Sequence, residues 1–248
     1  MSASPSTSQP ESQSHLLPRR VLAIMPHPDD AEYYCGGTLA WWAEQEVEVF
    51  IAVVTDGGKG SRDPEMTIER LVDIRQHEQR AAAALLGAKE VSFLGFPDGE
   101  LLPTLELWRA LVRLIRRVRP DAVMCPDPDP RFYGHNLNHP DHRAIGEATL
   151  TVLKAAIGNH LYYPELRAEG LEPHRVQTLY LAGPVNPNFE VDITSTLAIK
   201  IAALLEHHSQ YTDPEHVVEQ ENRLSEVQTL ADGSKRWVEK FQRFMLEG

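Results

Sequence analysis

The sequence predicts a three-layer, Rossmann-like α/β domain with a mostly parallel sheet. The first observation is a regular alternation of short apolar runs, typical of buried strands, with longer amphipathic segments, typical of helices. The second is that 248 residues with 42% hydrophobic side chains can bury a large core. Because alternating strands and helices form right-handed βαβ units, the first four strands are expected to pair in the common order 3-2-1-4.

The predicted elements follow from local pattern and from residues that begin or end helices. The first strand, over 21–24, is β-branched at both ends and is bounded by Pro26. Further strands are predicted over 47–54, 91–94, 121–126, 178–181 and 189–193. Helices are predicted over 36–45, 67–86, 140–157, 196–210 and 213–244, and another begins at residue 104.

The helix over 67–86 is expected to bury one face, because residues three and four apart lie on the same side of a helix. That face is predicted to carry Leu71, Ile74, His77 and Ala81. Gly87 follows directly and suits the left-handed residue that commonly ends a helix.

A single α/β domain is predicted over 19–248, preceded by a tail. Residues 1–18 are rich in Ser, Pro and Gln, so they are expected to be disordered and to lie outside the catalytic core. They also lack the apolar run of a signal peptide. At the other end, about 211–248 is expected to form a helical extension with a break near 232–233.

Charge and cysteine content exclude several classes of protein. The formal net charge is −12, and the arginines within 113–119 lie on an amphipathic helix, so neither nucleic acid nor a membrane is expected as a partner. No stretch of the sequence has the length of a membrane span. Two cysteines, Cys35 and Cys125, do not make a disulfide framework, which favours a reducing compartment and a cytoplasmic protein.

Imidazoles and carboxylates follow two of the predicted strands. Met-Pro-His-Pro-Asp-Asp-Ala-Glu (25–32) ends the first strand, and His-Pro-Asp-His (139–142) follows a Pro/Asp/Asn-rich loop after the fourth. In the predicted order these two strands are neighbours, and open parallel sheets bind ligands at the carboxyl ends of their strands. The sequence therefore predicts a metal site at the carboxyl ends of strands 1 and 4.

The residue types of the two clusters suit one catalytic zinc ion per chain, which takes three protein ligands and keeps a position for water. His27 and Asp30 supply two ligands from one loop, and either His142 or His139 supplies a third. Another divalent metal is compatible with the same ligands. Asp29 cannot easily bind the same ion beside Asp30, so it is predicted to be the general base.

The remaining histidine, His139, is expected to be protonated, to stabilise an oxyanion or to protonate a leaving amine, with Asp141 as a partner that orients an imidazole. The alternative is that all of these are turn residues, since Asp and Pro are common in turns. Two clusters that meet at adjacent strand ends argue against this alternative.

The two clusters also carry a resemblance. Pro-His-Pro-Asp-Asp-Ala-Glu (26–32) resembles the Ala-His-Pro-Asp-Asp-x-Glu signature of the PIG-L/LmbE family of zinc-dependent de-N-acetylases, with Pro26 in place of Ala. Asn-His-Pro-Asp-His-Arg (138–143) is similar to the second metal motif of that family. The similarity covers about residues 20 to 210.

The resemblance implies a Rossmann-like fold and definite roles for residues of the two motifs. Zinc would bind His27, Asp30 and His142, Asp29 would be the base, and His139 would be the polarising acid. Members of the family remove acetyl from N-acetylglucosamine-type substrates such as GlcNAc-inositol, GlcNAc-malate and chitobiose units.

Substrate contacts are expected at Asp98 and Arg62, which fall where family members place them. Some members carry a tyrosine two residues before the second motif's first histidine, but Leu137 stands there in this chain. Tyr133 or His135 could reach the site from the same loop, or Tyr133 is a loop anchor.

The expected function is hydrolysis of the acetamide of an N-acetylated amino sugar or its conjugate. Two alternatives are an amidase of the same fold that cuts a larger thiol–sugar conjugate, and a non-catalytic metal- or nucleotide-binding module. His207, at the end of a predicted helix, is expected at the pocket rim or in a subunit contact. The expected partners are a small N-acetylated sugar and other copies of the chain in a homo-oligomer.

Overall fold

An inner strand, β1 (Arg20–Met25), is buried on both faces. Val21 and Met25 pack into one hydrophobic core, and Leu22 and Ile24 pack into a second core on the opposite side. Successive side chains of a strand point to opposite faces, so an uninterrupted apolar run lies between two layers of helices. The computed structural model describes residues 17–224, 226–230 and 232–247.

The described part of the chain contains one large sheet and one short hairpin. After β1 the strands are β2 (Glu48–Thr55), β3 (Glu90–Phe96), β4 (Ala122–Pro126), β5 (Phe132–Tyr133), β6 (Asn136–Leu137), β7 (Thr178–Ala182), β8 (Phe189–Asp192), β9 (Glu226–Thr229) and β10 (Lys235–Met245).

The large sheet has the order β3-β2-β1-β4-β7-β10-β8, and β9 pairs with β10. Its first five strands are parallel, whereas β10 runs antiparallel to β7, β8 and β9. The predicted order 3-2-1-4 and the mostly parallel sheet are confirmed. Because β1 and β4 are neighbours, the loops that leave their carboxyl ends meet at one edge of the sheet.

Helices cover both faces of the sheet, which confirms the three-layer architecture. They are α1 (Asp30–Glu44), α2 (Ile68–Leu85), α3 (Leu105–Val118), α4 (Pro140–Ala155), α5 (Pro164–Ala168), α6 (Leu197–Leu205) and α7 (Pro214–Leu224). Side chains of α1, α2 and α6 fill the first core, and those of α3, α4 and α5 fill the second. Thr67 and Thr104 cap α2 and α3 through their side chains, and Pro140 is the first residue of α4.

The C-terminal extension differs from its prediction. Helix was expected over 213–244, but α7 is followed by the antiparallel pair β9 and β10. The Lys, Glu, Gln and Arg residues of β10 favour helices, yet pairing with three strands outweighs this propensity. The expected helix break near 232–233 is the turn of a hairpin, and Gly233 adopts the left-handed φ of 83° there.

Two other boundaries are corrected. Of the predicted tail, residues 1–16 lie outside the described part of the chain, whereas Leu17 packs against the first core. Helix α1 begins at Asp30, not at Gly36, because its first turn continues directly from the Asp-rich loop.

Helix α2 buries a different face from the predicted one. Leu71, Arg75 and Gln79 are buried, whereas His77 is exposed and its Nδ1–H donates to a backbone carbonyl one turn earlier. The inward face therefore carries two polar side chains among apolar ones, and they are directed at the loop that follows β1.

A buried ion pair between α6 and β10 supports the site-bearing helix α1, because its carboxylate also accepts hydrogen bonds from that helix. The helix departs from helical geometry at Cys35, and the N–H groups of Gly37 and Thr38 beyond it donate to the carboxylate of Glu239 at 3.1 and 2.8 Å. Nζ of Lys200, on α6, lies 2.8 Å from the same carboxylate. An interrupted helix leaves backbone donors that need acceptors, and Glu239 provides them from the sheet.

We expect Lys200→Met to lower the free energy of unfolding by about 3–5 kcal/mol, because it leaves the Glu239 carboxylate buried and unpaired. Urea denaturation followed by circular dichroism measures the change. Lys154→Met, at an exposed position, is the control and should stay within about 0.5 kcal/mol of the wild type. A loss below about 1 kcal/mol for Lys200→Met would show that the pair does not hold α1.

Candidate metal centre and active site

The loops that follow β1 and β4 bring three imidazoles together. The ring of His27 lies 4.6 Å from that of His139 and 5.3 Å from that of His142, measured between ring centroids. His27 stands two residues beyond β1, and the other two histidines flank the first turn of α4. The predicted meeting of the two clusters at adjacent strand ends is thus observed.

Two groups of side chains at this point could hold a metal ion. The first is His27, Asp30 and His142, and the second is His27, His139 and Asp141. In the first group, Oδ2 of Asp30 lies 3.0 Å from Nδ1 of His27, and its Oδ1 lies 3.2 Å from Nε2 of His142. The groups share His27, so they are alternatives for one ion.

Hydrogen bonds around the imidazoles favour the first group. Nε2 of His27 faces the Asp141 carboxylate at 3.2 Å, and Nδ1 of His142 faces the hydroxyl of Tyr34 at 3.4 Å. If these partners accept the ring N–H, the nitrogens left as metal donors are the two that point at Asp30. Such outer partners commonly orient histidine ligands. The donor set of two nitrogens and a carboxylate therefore fits one divalent ion with a position open for water.

The charges around His27 suit a cation. Burial alone would lower the pKa of His27, but the carboxylates of Asp141, Asp30 and Asp98 raise it to about 12. The pKa values of the three carboxyl groups are lowered. Burial alone would raise them, but nearby histidines lower the pKa values of Asp30 and Asp141, and His27 lowers the pKa of Asp98 to about 2. These carboxylates therefore stay ionised at neutral pH.

Asp29 occupies a strained turn beside this group. Its φ of 99° is left-handed, which is uncommon for a residue other than glycine. Its backbone N–H donates to Oε1 of Gln79 at 3.0 Å, and Nη2 of Arg75 lies 3.5 Å from its carboxylate. Burial and repulsion by Asp30 raise the pKa of Asp29 to about 7, against the opposing effect of Arg75. A group with such a pKa can both take and return a proton near neutral pH.

The surroundings of His139 bear on the protonation expected for it. Burial and the positive charge of His27 lower the pKa of His139 below its ordinary value of 6.5. Its Nδ1 accepts the backbone N–H of Asp141 at 3.2 Å as the cap of α4. When the ring is neutral, this contact leaves its proton on Nε2, where it can donate a hydrogen bond.

Asp141 supports His27 more closely than His139. Its Oδ2 lies 4.0 Å from Nδ1 of His139 but 3.2 Å from Nε2 of His27. The backbone N–H groups of Gly99 and Leu101 also donate to this carboxylate, at 2.7 and 3.1 Å. The side chain is fully buried, so it orients a neighbour and is not placed to touch a substrate.

A cavity of about 320 Å³ opens beside the cluster. It is lined by His27, Asp29, Lys59, Gly60, Arg75, Asp98, Gly99 and His139. A larger groove of about 1280 Å³ lies along α4 and β10, and its lining includes neither candidate ligand group. The small cavity is therefore the one that matters for chemistry at the cluster.

The four residues expected to contact substrate occupy different environments in the structure. Asp98 lines the cavity, whereas Arg62 is exposed on a nearby loop and is not part of the lining. The hydroxyl of Tyr133 donates to the carbonyl of Gly183 at 2.9 Å, which makes this residue a loop anchor. His207 is fully buried, so its expected place at a pocket rim or subunit contact is wrong.

His207 faces inward, with Nε2 3.4 Å from the carboxylate of Glu32 on α1. Glu32 also accepts a hydrogen bond from Nε2 of Gln79 at 2.7 Å. Sequence reasoning gave no role to Glu32, Gln79, Arg75 or Tyr34. The four-residue spacing of Arg75 and Gln79 became informative only with the structure, because the sequence predicted a different buried face for α2.

Two imidazoles and a carboxylate that converge beside a second, titratable carboxylate are typical of metal-dependent hydrolases. The family comparison agrees with this class. Residues 22–153 match the model of the PIG-L family, described as GlcNAc-PI de-N-acetylase. The chain belongs to this family.

Named relatives and solved structures are similar along most of the chain. Diacetylchitobiose deacetylase of Thermococcus kodakarensis is 35% identical over 81% of this chain and 73% of its own length. A probable N-acetyl-α-D-glucosaminyl L-malate deacetylase 2 of Bacillus anthracis is 28% identical over 90% of this chain and 96% of its own. The structure of N,N'-diacetylchitobiose deacetylase from Pyrococcus horikoshii has a TM-score of 0.81 and 28% identity, and the match covers 92% of this chain and 84% of that one.

Across the described ranges, we find no helix with both the length and the apolar character that a membrane crossing requires.

We expect the Glu32 carboxylate to control the pKa of His207. Burial alone would lower that pKa, but Glu32 raises it above the ordinary value of 6.5. The stabilisation that protonated His207 contributes is therefore complete below pH 6.5, and it is lost as the pH rises through the pKa of His207 in the folded state. NMR titration should place the His207 pKa above 6.5 in the wild type and below 6.5 in Glu32→Gln.

His174 provides an internal control in the same spectra. Burial lowers the pKa of His174, and its Nε2 faces the backbone carbonyl of Pro120, just before β4. Glu32→Gln should therefore leave the titration of His174 unchanged. A wild-type His207 that titrates below 6.5 would contradict the assigned ion pair.

Proposed function

We propose that the protein is a zinc-dependent de-N-acetylase that hydrolyses the acetamide of an N-acetylated amino sugar or its conjugate. The observation that carries this proposal is the convergence of His27, Asp30 and His142 next to Asp29, which lines the small cavity together with His27. The names of its relatives support the class of substrate, because they act on diacetylchitobiose or GlcNAc-malate.

In this proposal His27, through Nδ1, His142, through Nε2, and Asp30 hold the metal ion. When bound, zinc supplies Lewis acidity, which polarises an acyl oxygen and lowers the pKa of water. Asp141 and Tyr34 keep the two imidazoles turned toward the ion.

Asp29 and His139 perform the proton and hydrogen-bond steps. Asp29 removes a proton from the water that attacks the acetyl carbonyl carbon, and Nε2–H of His139 donates to the carbonyl oxygen as negative charge develops there. Protonated Asp29 then gives its proton to the leaving nitrogen as the C–N bond breaks. Acetic acid and the free amine result, and Asp29 returns to its ionised form; at neutral pH the acid passes its proton to the amine or to solvent and leaves as acetate. A pKa of about 7 suits both of its tasks.

Asp98 is proposed as a substrate contact, because its ionised carboxylate lines the cavity and can accept sugar hydroxyl protons. Arg62 stays a proposal that needs movement of its exposed loop toward the cavity. Tyr133 is proposed only to anchor the loop that carries His139, and its bond to Gly183 supports this role.

The two neighbouring carboxylates should give opposite results when each is changed to the isosteric amide. Asp30→Asn weakens a charged ligand, so zinc content should fall well below one ion per chain, and added zinc should restore part of the activity. Asp29→Asn keeps the ligands, so zinc content should stay near one ion per chain while kcat falls by roughly two to four powers of ten. Elemental analysis and acetate release from N-acetylated sugars measure the two quantities.

Asp63→Asn, at an exposed position on the loop before α2, is the control and should change neither zinc content nor rate. Loss of metal in Asp29→Asn with retention in Asp30→Asn would invert the two roles. A wild-type protein that binds zinc but releases no acetate from any N-acetylated sugar would favour the amidase or the non-catalytic module.

A further inference from the structure

The strained turn at Asp29 is held by hydrogen bonds to two side chains of α2, of which Arg75 lines the cavity and Gln79 does not. A non-glycine residue with φ of 99° persists only where its surroundings over-determine the conformation. On one side, Nη2 of Arg75 donates to the carbonyl of Pro28 at 2.6 Å. On the other, the N–H of Asp29 donates to Oε1 of Gln79 at 3.0 Å. The second bond fixes the orientation of the peptide group that precedes the Cα atom of Asp29, and with it the direction of the Asp29 side chain.

The orientation of the Gln79 side chain follows from its second partner. A primary amide has one end that donates and one that accepts, and either end fits the same space. Nε2 of Gln79 donates to Oε1 of Glu32 at 2.7 Å, so the NH₂ end of the amide faces Glu32. The carbonyl end must then face Asp29. A Gln79 amide turned the other way would set a donor against the Asp29 N–H.

His207 completes the chain of contacts on the far side of Glu32. Its Nε2 is 3.4 Å from Oε2 of Glu32, and both side chains are fully buried. Within the described residues, neither ring nitrogen of His207 has a hydrogen-bond partner, so Glu32 is its charged neighbour at closest range. Opposite charges at this distance in a buried site stabilise each other, so His207 is placed to favour a charged Glu32.

We propose that Gln79, oriented by the buried Glu32–His207 pair, is a positioning residue that holds the general base Asp29 in its reactive geometry. This inference rests on the proposed function, since it takes Asp29 to be the base. Glu32 lies on α1, Gln79 on α2 and His207 in the turn after α6. These contacts therefore connect three helices to the backbone N–H of Asp29. None of the three lines the cavity, and all act through Asp29.

A double-mutant cycle separates positioning from general packing. Gln79→Met keeps the length and bulk of the side chain but removes both hydrogen bonds. In the wild-type background we expect kcat for acetate release to fall by about ten- to a hundredfold, with KM within about twofold and zinc near one ion per chain. In the Asp29→Asn background, Gln79→Met should cause almost no further loss, because the group it positions has already been disabled.

Gln76→Met is the matched control, since Gln76 lies one turn earlier on α2 and its side-chain oxygen accepts a hydrogen bond from Arg80 of the same helix. It should leave kcat unchanged in both backgrounds. Equal losses from Gln79→Met in the two backgrounds would overturn the inference, because a packing defect would act whether or not the base is present.

A second variant and a second readout cover the case in which Gln79→Met folds poorly. Glu32→Gln keeps the shape but removes the charge that selects one orientation of the Gln79 amide. The backbone N–H of Asp29 should then exchange with solvent deuterium faster than in the wild type, by about tenfold or more, and kcat should fall without a change in KM. Unchanged exchange in Glu32→Gln would refute the orienting role. Hydrogen exchange requires no turnover, so it tests the orienting role even if the proposed function is wrong. Failure of the proposed function would instead be revealed by full activity in Asp29→Asn.

Discussion

The structure depends on the concentration of negative charge at the point where β1 passes into α1. Asp29 and Asp30 are adjacent in sequence, and Nε2 of His27 is approached by Asp98 from the loop after β3 and by Asp141 from the first turn of α4. Carboxylates crowded out of water need cations or donors nearby. The imidazoles, the Arg75 guanidinium and backbone N–H groups meet part of that need, and a divalent ion held by His27, Asp30 and His142 would meet the rest.

This constraint explains polar residues that a hydrophobic core would otherwise exclude. Arg75 and Gln79 replace apolar residues on the inner face of α2 because the turn at Asp29 requires donors and acceptors there. Glu32 and His207 continue the same network between α1 and the end of α6. At a greater distance, Lys200 and Glu239 hold α1 beyond its irregularity at Cys35. The buried charges thus fix the helix whose first turn carries the site.

Sequence reasoning succeeded where the signal is local or where topology follows general rules. Thr67 and Thr104 begin helices as expected, and the neighbouring positions of β1 and β4 bring the two motifs together. It failed where partners are distant in sequence. The helix-favouring composition of β10 gives no sign of its three strand partners, and the polarity of Gln79 conceals that it faces inward. The lowered pKa of His139 follows from burial and from the charge of His27, and the acceptor role of its Nδ1 follows from a backbone N–H, so both required the three-dimensional arrangement.

The central claim is that one divalent ion binds His27, Asp30 and His142, and not the overlapping group that contains His139 and Asp141. A crystal structure of the zinc-loaded protein, with anomalous diffraction recorded on both sides of the zinc edge, measures this directly. We predict one peak about 2.0–2.2 Å from Nδ1 of His27, Nε2 of His142 and a carboxylate oxygen of Asp30. A peak bound to His139 and Asp141 through Nε2 of His27 would contradict the account.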